Sequence, residues 1–221
     1  LSWPMIIEDL SKLYEALPEN DEATNTLSPK THNQGNWVNN LNTLLITEQR
    51  QAYWLDQMQA PIYSTERALP ISTQWLTPLS KIESLTKAGQ SFARLTQEQV
   101  VFIVCALTVS TQNQGQALTI HRESHGRFTD NIGLDLSRTI GWYTSLYPQA
   151  IPELGTLMEW VKSLKDSFDS DHVGGITFHA GVAQNLWPHV GNMDVLFNYL
   201  GNATQQINGK VDITGSGLWR D

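Results

Sequence analysis

The sequence predicts an α/β fold, with a mixed β-sheet and helices packed on it. Segments whose apolar residues recur at helical spacing alternate irregularly with short segments rich in β-branched and aromatic residues, a pattern typical of α/β domains. Hydrophobic residues make up 40% of the 221 residues, which is enough for a buried core and too many for a disordered chain. This length predicts one large domain or two small ones.

Most helices are predicted from apolar residues at every third or fourth position. Thr96 is a good N-cap, and a strongly apolar segment follows it. Pro61 marks a helix end, because proline cannot continue the hydrogen-bond ladder. The predicted helices run from about Ile6 to Leu17, Trp37 to Leu45, Glu48 to Met58, Pro78 to Lys87, Thr96 to Val109 and Leu154 to Phe168.

The strands are predicted from alternating polarity or from β-branched and aromatic residues. The alternation is clearest in the segment that ends at His121. The predicted strands cover Leu69 to Leu76, Ala117 to His121, Thr139 to Tyr147, Gly174 to Trp187 and Val195 to Leu200.

Composition excludes several classes of function. The formal net charge of −8 argues against a general nucleic-acid-binding protein, which would need a basic surface. The longest apolar run, Val100 to Val109, is too short to cross a bilayer, so we predict no membrane span. The single cysteine, Cys105, excludes an internal disulfide and a zinc site built on several thiolates.

The ends of the sequence predict a part of a longer domain. No initiator methionine is present, and Leu1 leads directly into an amphipathic helix. The last residues, Gly209 to Asp221, are glycine-rich and stop without a capped element. The start lacks the basic segment and cleavage site of a signal peptide, so we predict a cytoplasmic location.

The segment with the most chemical information is His121 to Arg127. In a continuous strand, His121, Glu123 and His125 would point to one face, which suggests either a metal site or acid–base chemistry. The H-x-E pattern of His121 and Glu123 is similar to that of zinc deaminases, but the paired-cysteine motif that those enzymes need is absent. The H-E-x-x-H spacing of zinc hydrolases is absent as well, so we predict no metal site. Each histidine alone is better explained as a packing residue. Glu123 stands at a strand end among Gly, Ser, His and Arg, which suits a cleft.

Two further segments are informative about function only in combination with the first. They are Asp135 to Thr144, which leads to Tyr147-Pro148, and Phe197 to Gly201. Alone, each reads as an ordinary loop or strand end. No phosphate loop, dinucleotide fingerprint or G-x-S-x-G elbow occurs in the chain.

In this order, the three segments resemble motifs of the epimerization domains of nonribosomal peptide synthetases, relatives of condensation domains. Glu123 to Arg127 resembles the E-G-H-G-R-E motif of that family. Asp135 to Pro148 resembles D-x-S-R-T-V-G-W-F-T…P, and Phe197 to Gly201 matches F-N-Y-L-G. The resemblance covers nearly the whole chain, loosely between positions 18 and 115.

The chain also departs from these motifs. Ser124 stands where the family usually has glycine, and Phe128 where it has glutamate. Gly174 to His179 is an unusual version of the glycine-tyrosine segment. The H-H-x-x-x-D-G motif is absent, and the alignment places it immediately before Leu1.

The resemblance implies a chloramphenicol-acetyltransferase-like fold, of which residues 1–221 would form mostly the C-terminal lobe. It implies inversion at Cα of an aminoacyl or peptidyl thioester on the 4′-phosphopantetheine of a carrier protein. The implied partners are a peptidyl carrier protein domain and the N-terminal lobe of the same domain. The chain itself would bind no cofactor.

The resemblance also assigns roles to residues. Glu123 would be the acid/base on one side of Cα, opposite a histidine of the missing motif. Asn198 and Tyr199 would position the substrate or stabilise the enolate-like oxygen. The remaining residues would support the site: His125 and Arg127 would orient Glu123, and Asp135, Arg138 and Trp142 belong to the loop that shapes it.

Two alternatives remain open. A condensation domain would join two carrier-bound substrates, although Gly141 to Thr144 differs from the G-P-F-x-N pattern usual there. A catalytically silent domain that only binds carrier protein is the other alternative, and the unusual residues Ser124, Phe128 and Phe178-His179 keep it open.

Overall fold

The computed structural model describes residues 2–16, 27–29, 31–59, 76–127, 133–170, 175–187 and 195–201. The chain divides into two compact units. The first unit consists of Leu1–Asn40, Thr129–Tyr143 and Leu200–Asp221, and the second consists of Leu41–Phe128 and Thr144–Tyr199. The predicted strand from Leu69 to Leu76 lies outside the described residues, apart from Leu76.

The predicted helices are all present, and one more occurs near the C-terminus. They are α1 (Ser2–Ala16), α2 (Gln34–Thr43), α3 (Glu48–Gln57), α4 (Leu79–Ala93), α5 (Gln97–Gln112), α6 (Leu157–Ser170) and α7 (Ile176–Ala183). The N-cap of α5 is confirmed, because the Thr96 hydroxyl accepts from the Gln99 N–H and the Gln99 side chain accepts from the Thr96 N–H. Helix α4 is longer than predicted. It continues past Gly89, whose lack of a Cβ lets it pass close to Val100 of α5.

Among the described residues, three strands form a mixed sheet in the second unit, which confirms the prediction of a mixed sheet. The strands are β1 (Leu118–Ser124), β2 (Ser145–Ile151) and β3 (Leu196–Asn198). The strand order is β2-β1-β3, with β1 antiparallel to β2 and parallel to β3. Strand β2 begins at Ser145, later than the predicted Thr139, because the preceding loop is held by side-chain contacts described below.

The prediction of a strand from Gly174 to Trp187 is wrong, because this segment contains α7. Gly175 adopts a left-handed conformation with φ of 74° and caps the helix. The indole of Trp187 folds back over α7, stacks on Phe178 at 5.7 Å and donates from Nε1 to the Phe178 carbonyl at 2.9 Å. A Cβ on Gly181 would lie 2.0 Å from that indole. Glycine therefore allows a helix where the composition suggested a strand.

The core of the second unit lies on the helix-bearing face of the sheet. Its larger cluster joins β1 to α5 and α6 through residues such as Ile120, Phe102 and Phe168. A smaller aromatic cluster consists of Trp54, Tyr147, Phe178 and Trp187. Within the described ranges, no single helix is long and apolar enough to cross a membrane; α4 and α5 pass only as a pair, by length and composition, and they are bent by 98°.

Candidate active site

The C-terminal end of β1 presents two different faces. Arg122 points toward the helices, where its guanidinium lies over the ring of Phe102. Since successive strand residues alternate, Glu123 points to the opposite face and is half-buried. Strand β1 ends at Ser124, and Gly126 turns the chain with φ of 64°. His125 therefore lies in a turn beyond the strand, and the predicted common face of three residues does not extend to it.

His125 makes a local hydrogen bond that defines its protonation. Its Nδ1 atom accepts from the Arg127 N–H at 3.0 Å. Partial burial lowers the pKa of His125, and the nearby charge of Arg127 lowers it further. Both effects favour the neutral imidazole, and the hydrogen bond is consistent with Nδ1 as acceptor and the proton on Nε2.

Asn198 lies beside Glu123. The two residues are register partners in the parallel pairing of β1 with β3, so their side chains share a face of the sheet. The Asn198 side chain is exposed, whereas Phe197 is buried among the helix-side residues. The structure thus brings together two of the three predicted catalytic residues.

Tyr199 is placed differently from Asn198. It follows β3, is half-buried and packs against the helix-side core cluster. Tyr199 thus shares the packing of Phe197. Its catalytic role stays a prediction.

The loop at residues 133–143 belongs to the first unit and contains the remaining predicted residues. The Asp135 carboxylate accepts from the Ser137 N–H at 2.9 Å, and the Ser137 contacts lower the pKa of Asp135. The backbone of Asp135 exchanges hydrogen bonds with His32, donating to Nδ1 at 2.9 Å and accepting from its N–H at 3.0 Å. Asp135 thus ties the loop to residues 31–33.

Arg138 ties the same loop to α1. Its guanidinium donates to Glu8 at 2.6 Å and also to Asp9. Burial by itself would lower the pKa of Arg138, but these carboxylates outweigh it and raise the pKa. Trp142 is 77% exposed, and its carbonyl accepts from the Gln34 side chain at 3.4 Å. The contacts of Asp135 and Arg138 are thus those of residues that hold a loop.

The donors needed for a metal site do not come together in the part of the chain that is described. No group of three His, Cys, Asp or Glu side chains there could hold a metal ion. His121 is 4% exposed and lies within the sheet, while His125 lies in the turn after it. The arrangement is suited to acid–base chemistry at Glu123, with a neighbouring amide available as a hydrogen-bond donor.

A cleft of about 400 Å³ lies away from these residues, between α3, β2 and α6. The Gln57 side chain lines it and accepts from the Ala150 N–H at 2.8 Å. None of the predicted site residues lines this cleft.

The sequence reasoning missed the ion pair between Arg122 and Glu98. Arg122 donates to the Glu98 carboxylate at 2.8 Å, which joins the end of β1 to the start of α5. A signal was present, because alternation places Arg122 on the same face as the apolar residues Leu118 and Ile120. A cation on the apolar face of a strand indicates a charged partner nearby.

Comparison with solved structures identifies the fold of the chain. The chain has the chloramphenicol-acetyltransferase-like fold of condensation and epimerization domains, as predicted. It matches the epimerization domain from the third module of tyrocidine synthetase B with a TM-score of 0.65 and 21% identity, over 90% of this chain and 50% of that one. It matches the first condensation domain of the CDA synthetase with a TM-score of 0.54 and 14% identity, over 89% and 45% of the two chains.

The sequence comparisons agree with the fold. The chain is 28% identical to a linear gramicidin synthase of Brevibacillus parabrevis over 94% of its length, and 25% identical to a mycosubtilin synthase of Bacillus subtilis over 97%. The chain spans only 3% of the length of the gramicidin synthase relative and 9% of the length of the mycosubtilin synthase relative. No family model matches the chain. The resemblance to condensation-superfamily domains of nonribosomal peptide synthetases is therefore confirmed.

Proposed function

We propose that the chain is most of the C-terminal lobe of an epimerization domain in a nonribosomal peptide synthetase. The domain would invert Cα of an aminoacyl or peptidyl group held as a thioester on a carrier protein. The observation that carries the proposal is the pairing of Glu123 with Asn198 at the ends of two parallel strands, on the face away from the helices. A base and an amide donor are the groups that enolisation of a thioester requires on one side.

The reaction needs two proton transfers at one carbon. In one direction, the Glu123 carboxylate takes the α-proton and the electron pair of the C–H bond moves into the thioester, which becomes enolate-like. The amide of Asn198 would donate a hydrogen bond to the developing oxyanion. A second group on the opposite side then returns a proton to Cα, and the electron pair re-forms a C–H bond. We assign this second group to a histidine of the predicted H-H-x-x-x-D-G motif.

The other predicted residues have supporting roles in this proposal. The hydrogen bond between His125 and the Arg127 N–H fixes the turn that follows Glu123. Asp135 and Arg138 hold the loop that carries Trp142. Tyr199 keeps its proposed role beside the substrate.

The 4′-phosphopantetheine belongs to the carrier, so this chain needs only to accept it. A cytoplasmic location stays a prediction.

Deuterium exchange tests the proposal directly. The natural polypeptide that contains this chain is mixed in D2O with a carrier protein loaded with an L-aminoacyl group. We expect deuterium at Cα and the appearance of D-isomer after release from the carrier. A polypeptide that leaves both the α-hydrogen and the configuration unchanged would contradict the proposal. We expect no turnover by the isolated chain of 221 residues, because the H-H-x-x-x-D-G motif to which we assign the second group does not occur in it.

One observation supports the condensation alternative, because a condensation domain is also among the similar structures. The same polypeptide is therefore given two loaded carriers, one as donor and one as acceptor. Formation of a dipeptidyl thioester without α-deuteration would favour a condensation domain. Binding of a carrier with neither reaction would favour the catalytically silent alternative.

A further inference from the structure

The side chain of Arg122 is enclosed on the helix face of the sheet. The residue is only 7% exposed. Its guanidinium carbon lies 4.9 Å from the ring centroid of Phe102, 5.1 Å from that of Phe168 and 5.6 Å from that of Tyr147. One guanidinium nitrogen donates to Glu98 at 2.8 Å. A single cation thus contacts α5, α6 and β2 from the end of β1.

This arrangement should contribute little to the free energy of unfolding. Burying the charge of Arg122 carries a large desolvation cost. Its partner Glu98 has a side chain that is 41% exposed, so water screens the ion pair and the attraction offsets only part of that cost. In addition, the Arg122 Nε atom is buried and has no hydrogen-bond partner among the described residues. The cation–π contacts offset only part of this cost. An apolar side chain such as methionine would fill the same space at similar or greater stability.

The arrangement is well suited to fixing the direction of the neighbouring side chains. Arg122 is the register partner of Phe197, and the ring of Phe102 contacts both, at 4.9 Å and 5.1 Å. Strand β3 has only three residues, so its pairing with β1 is short. Next to it, the His121 N–H donates to the Val195 carbonyl at 2.9 Å. The helix-side contacts therefore supply much of what holds the two strand ends in register.

We propose that Arg122 is a positioning residue for the proposed acid/base Glu123. Because residues 122 and 123 point to opposite faces, a guanidinium held by Glu98 and the aromatic rings fixes the rotation of β1 about its axis. That rotation sets the direction of the Glu123 carboxylate and keeps it beside Asn198. The role in catalysis rests on the proposed epimerization, whereas the ordering of β1 against β3 does not.

Three variants test the role of Arg122. Arg122→Met keeps a long, unbranched side chain and removes the charge, Arg122→Lys keeps a charge, and Glu98→Gln removes the charge of the partner. Lys162→Met serves as control, because it removes an exposed cation from α6. Each variant is measured by thermal unfolding and amide hydrogen exchange of the chain, and by α-deuteration in the natural polypeptide.

We expect Arg122→Met to unfold within a few degrees of the parent chain and to exchange the amides of residues 195–201 faster, while α6 keeps its protection. We expect kcat for α-deuteration to fall about tenfold to hundredfold, because small misplacements of a catalytic group have effects of that size. KM for the carrier should not change. Arg122→Lys should recover part of kcat, and Glu98→Gln should lie between Arg122→Met and the parent.

Three results would overturn the proposal. The first is unchanged amide exchange at residues 195–201 in both Arg122→Met and Glu98→Gln. The second is a large loss of thermal stability in both, because Arg122 would then be a stabilising residue. The third is an unchanged kcat for α-deuteration in a variant whose amides at residues 195–201 exchange faster. If the parent polypeptide does not deuterate Cα at all, the proposed epimerization fails, and amide exchange alone then decides whether Arg122 orders the two strands.

Discussion

Two of the motif segments are held in place by different physical means. The segment from Glu123 to Arg127 begins in the last two residues of β1, a strand that pairs on both sides and packs against a buried aromatic cluster. The loop at residues 133–143 is held by ion pairs and hydrogen bonds from partly exposed side chains, chiefly Arg138 with Glu8 and Asp9. Packing is insensitive to salt and tolerates little change, whereas exposed ion pairs are screened and contribute little each.

The largest effect should come from the carboxylate that the strand end presents. Glu123→Gln keeps the shape and removes the proposed base, so α-deuteration by the natural polypeptide should fall about 10²- to 10⁴-fold. Glu153→Gln, which neutralises an exposed carboxylate after β2, is the matched control and should have no effect. Mass spectrometry of the released amino acid measures both. If α-deuteration is equal in the two variants, Glu123 has no acid–base role.

The packing beneath the strand end should have the next largest effect. Phe102 is fully buried, and its ring contacts Phe168 at 5.6 Å and Phe197 at 5.1 Å. Phe102→Ala should lower the free energy of unfolding by about 3–5 kcal/mol, because the cavity cannot close completely. Phe92→Ala is the control, since that ring is 47% exposed, and it should have an effect of less than about 1 kcal/mol. Urea denaturation compares the two, and similar losses would mean that the cluster around Phe102 is not a tight core.

The ion pairs of the second segment should have a smaller effect that depends on salt. Arg138→Met should lower the free energy of unfolding by about 0.5–1 kcal/mol in low salt. The difference should shrink in about 1 M NaCl, where charges are screened within a few ångströms. Amide exchange should become faster at residues 133–143, and Lys81→Met on α4 should not change it. A loss that persists undiminished at high salt would show that Arg138 acts by packing.

The smallest effect should be the pH dependence from His125. Its pKa is lowered by burial and by Arg127, so near neutral pH the folded state binds fewer protons here than the unfolded state. This contribution to stability is present above the unfolded pKa of about 6.5 and is lost as the pH falls through the lowered folded pKa. NMR titration should give His125 a pKa below about 6.5. His125→Gln should remove this part of the pH dependence of thermal unfolding, and a raised pKa would contradict the hydrogen bond to the Arg127 N–H.

Structural features that depend on residues close together in the sequence were predicted well. The helices and the strand at Leu118–Ser124 follow from local periodicity, and the capping box at Thr96 follows from residues three positions apart. The motif resemblance identified the fold class and placed Glu123 at a strand end. These features require only the preferences of short segments, which remain when the rest of the chain is unknown.

The error at α7 shows where such preferences fail. Aromatic and small apolar residues between Gly174 and Trp187 suit a strand as well as a buried helix, so periodicity alone could not distinguish them. Contacts with α3, which is distant along the chain, favour the helix over the strand. The Trp54 indole donates to Thr177 at 2.9 Å, and its ring lies 5.2 Å from Phe178. Tertiary packing thus overrode the local signal.

By itself, the sequence determined the fold class, most helices and the identity of the candidate acid/base. Only the tertiary structure decided which side chains share a face. Glu123 and Asn198 are far apart along the chain, and a register shift of one residue would place them on opposite faces. Likewise, no local pattern could show that Arg122 is enclosed by rings from two helices and a neighbouring strand. Register and burial are set by contacts between distant segments, and those contacts exist only in the folded chain.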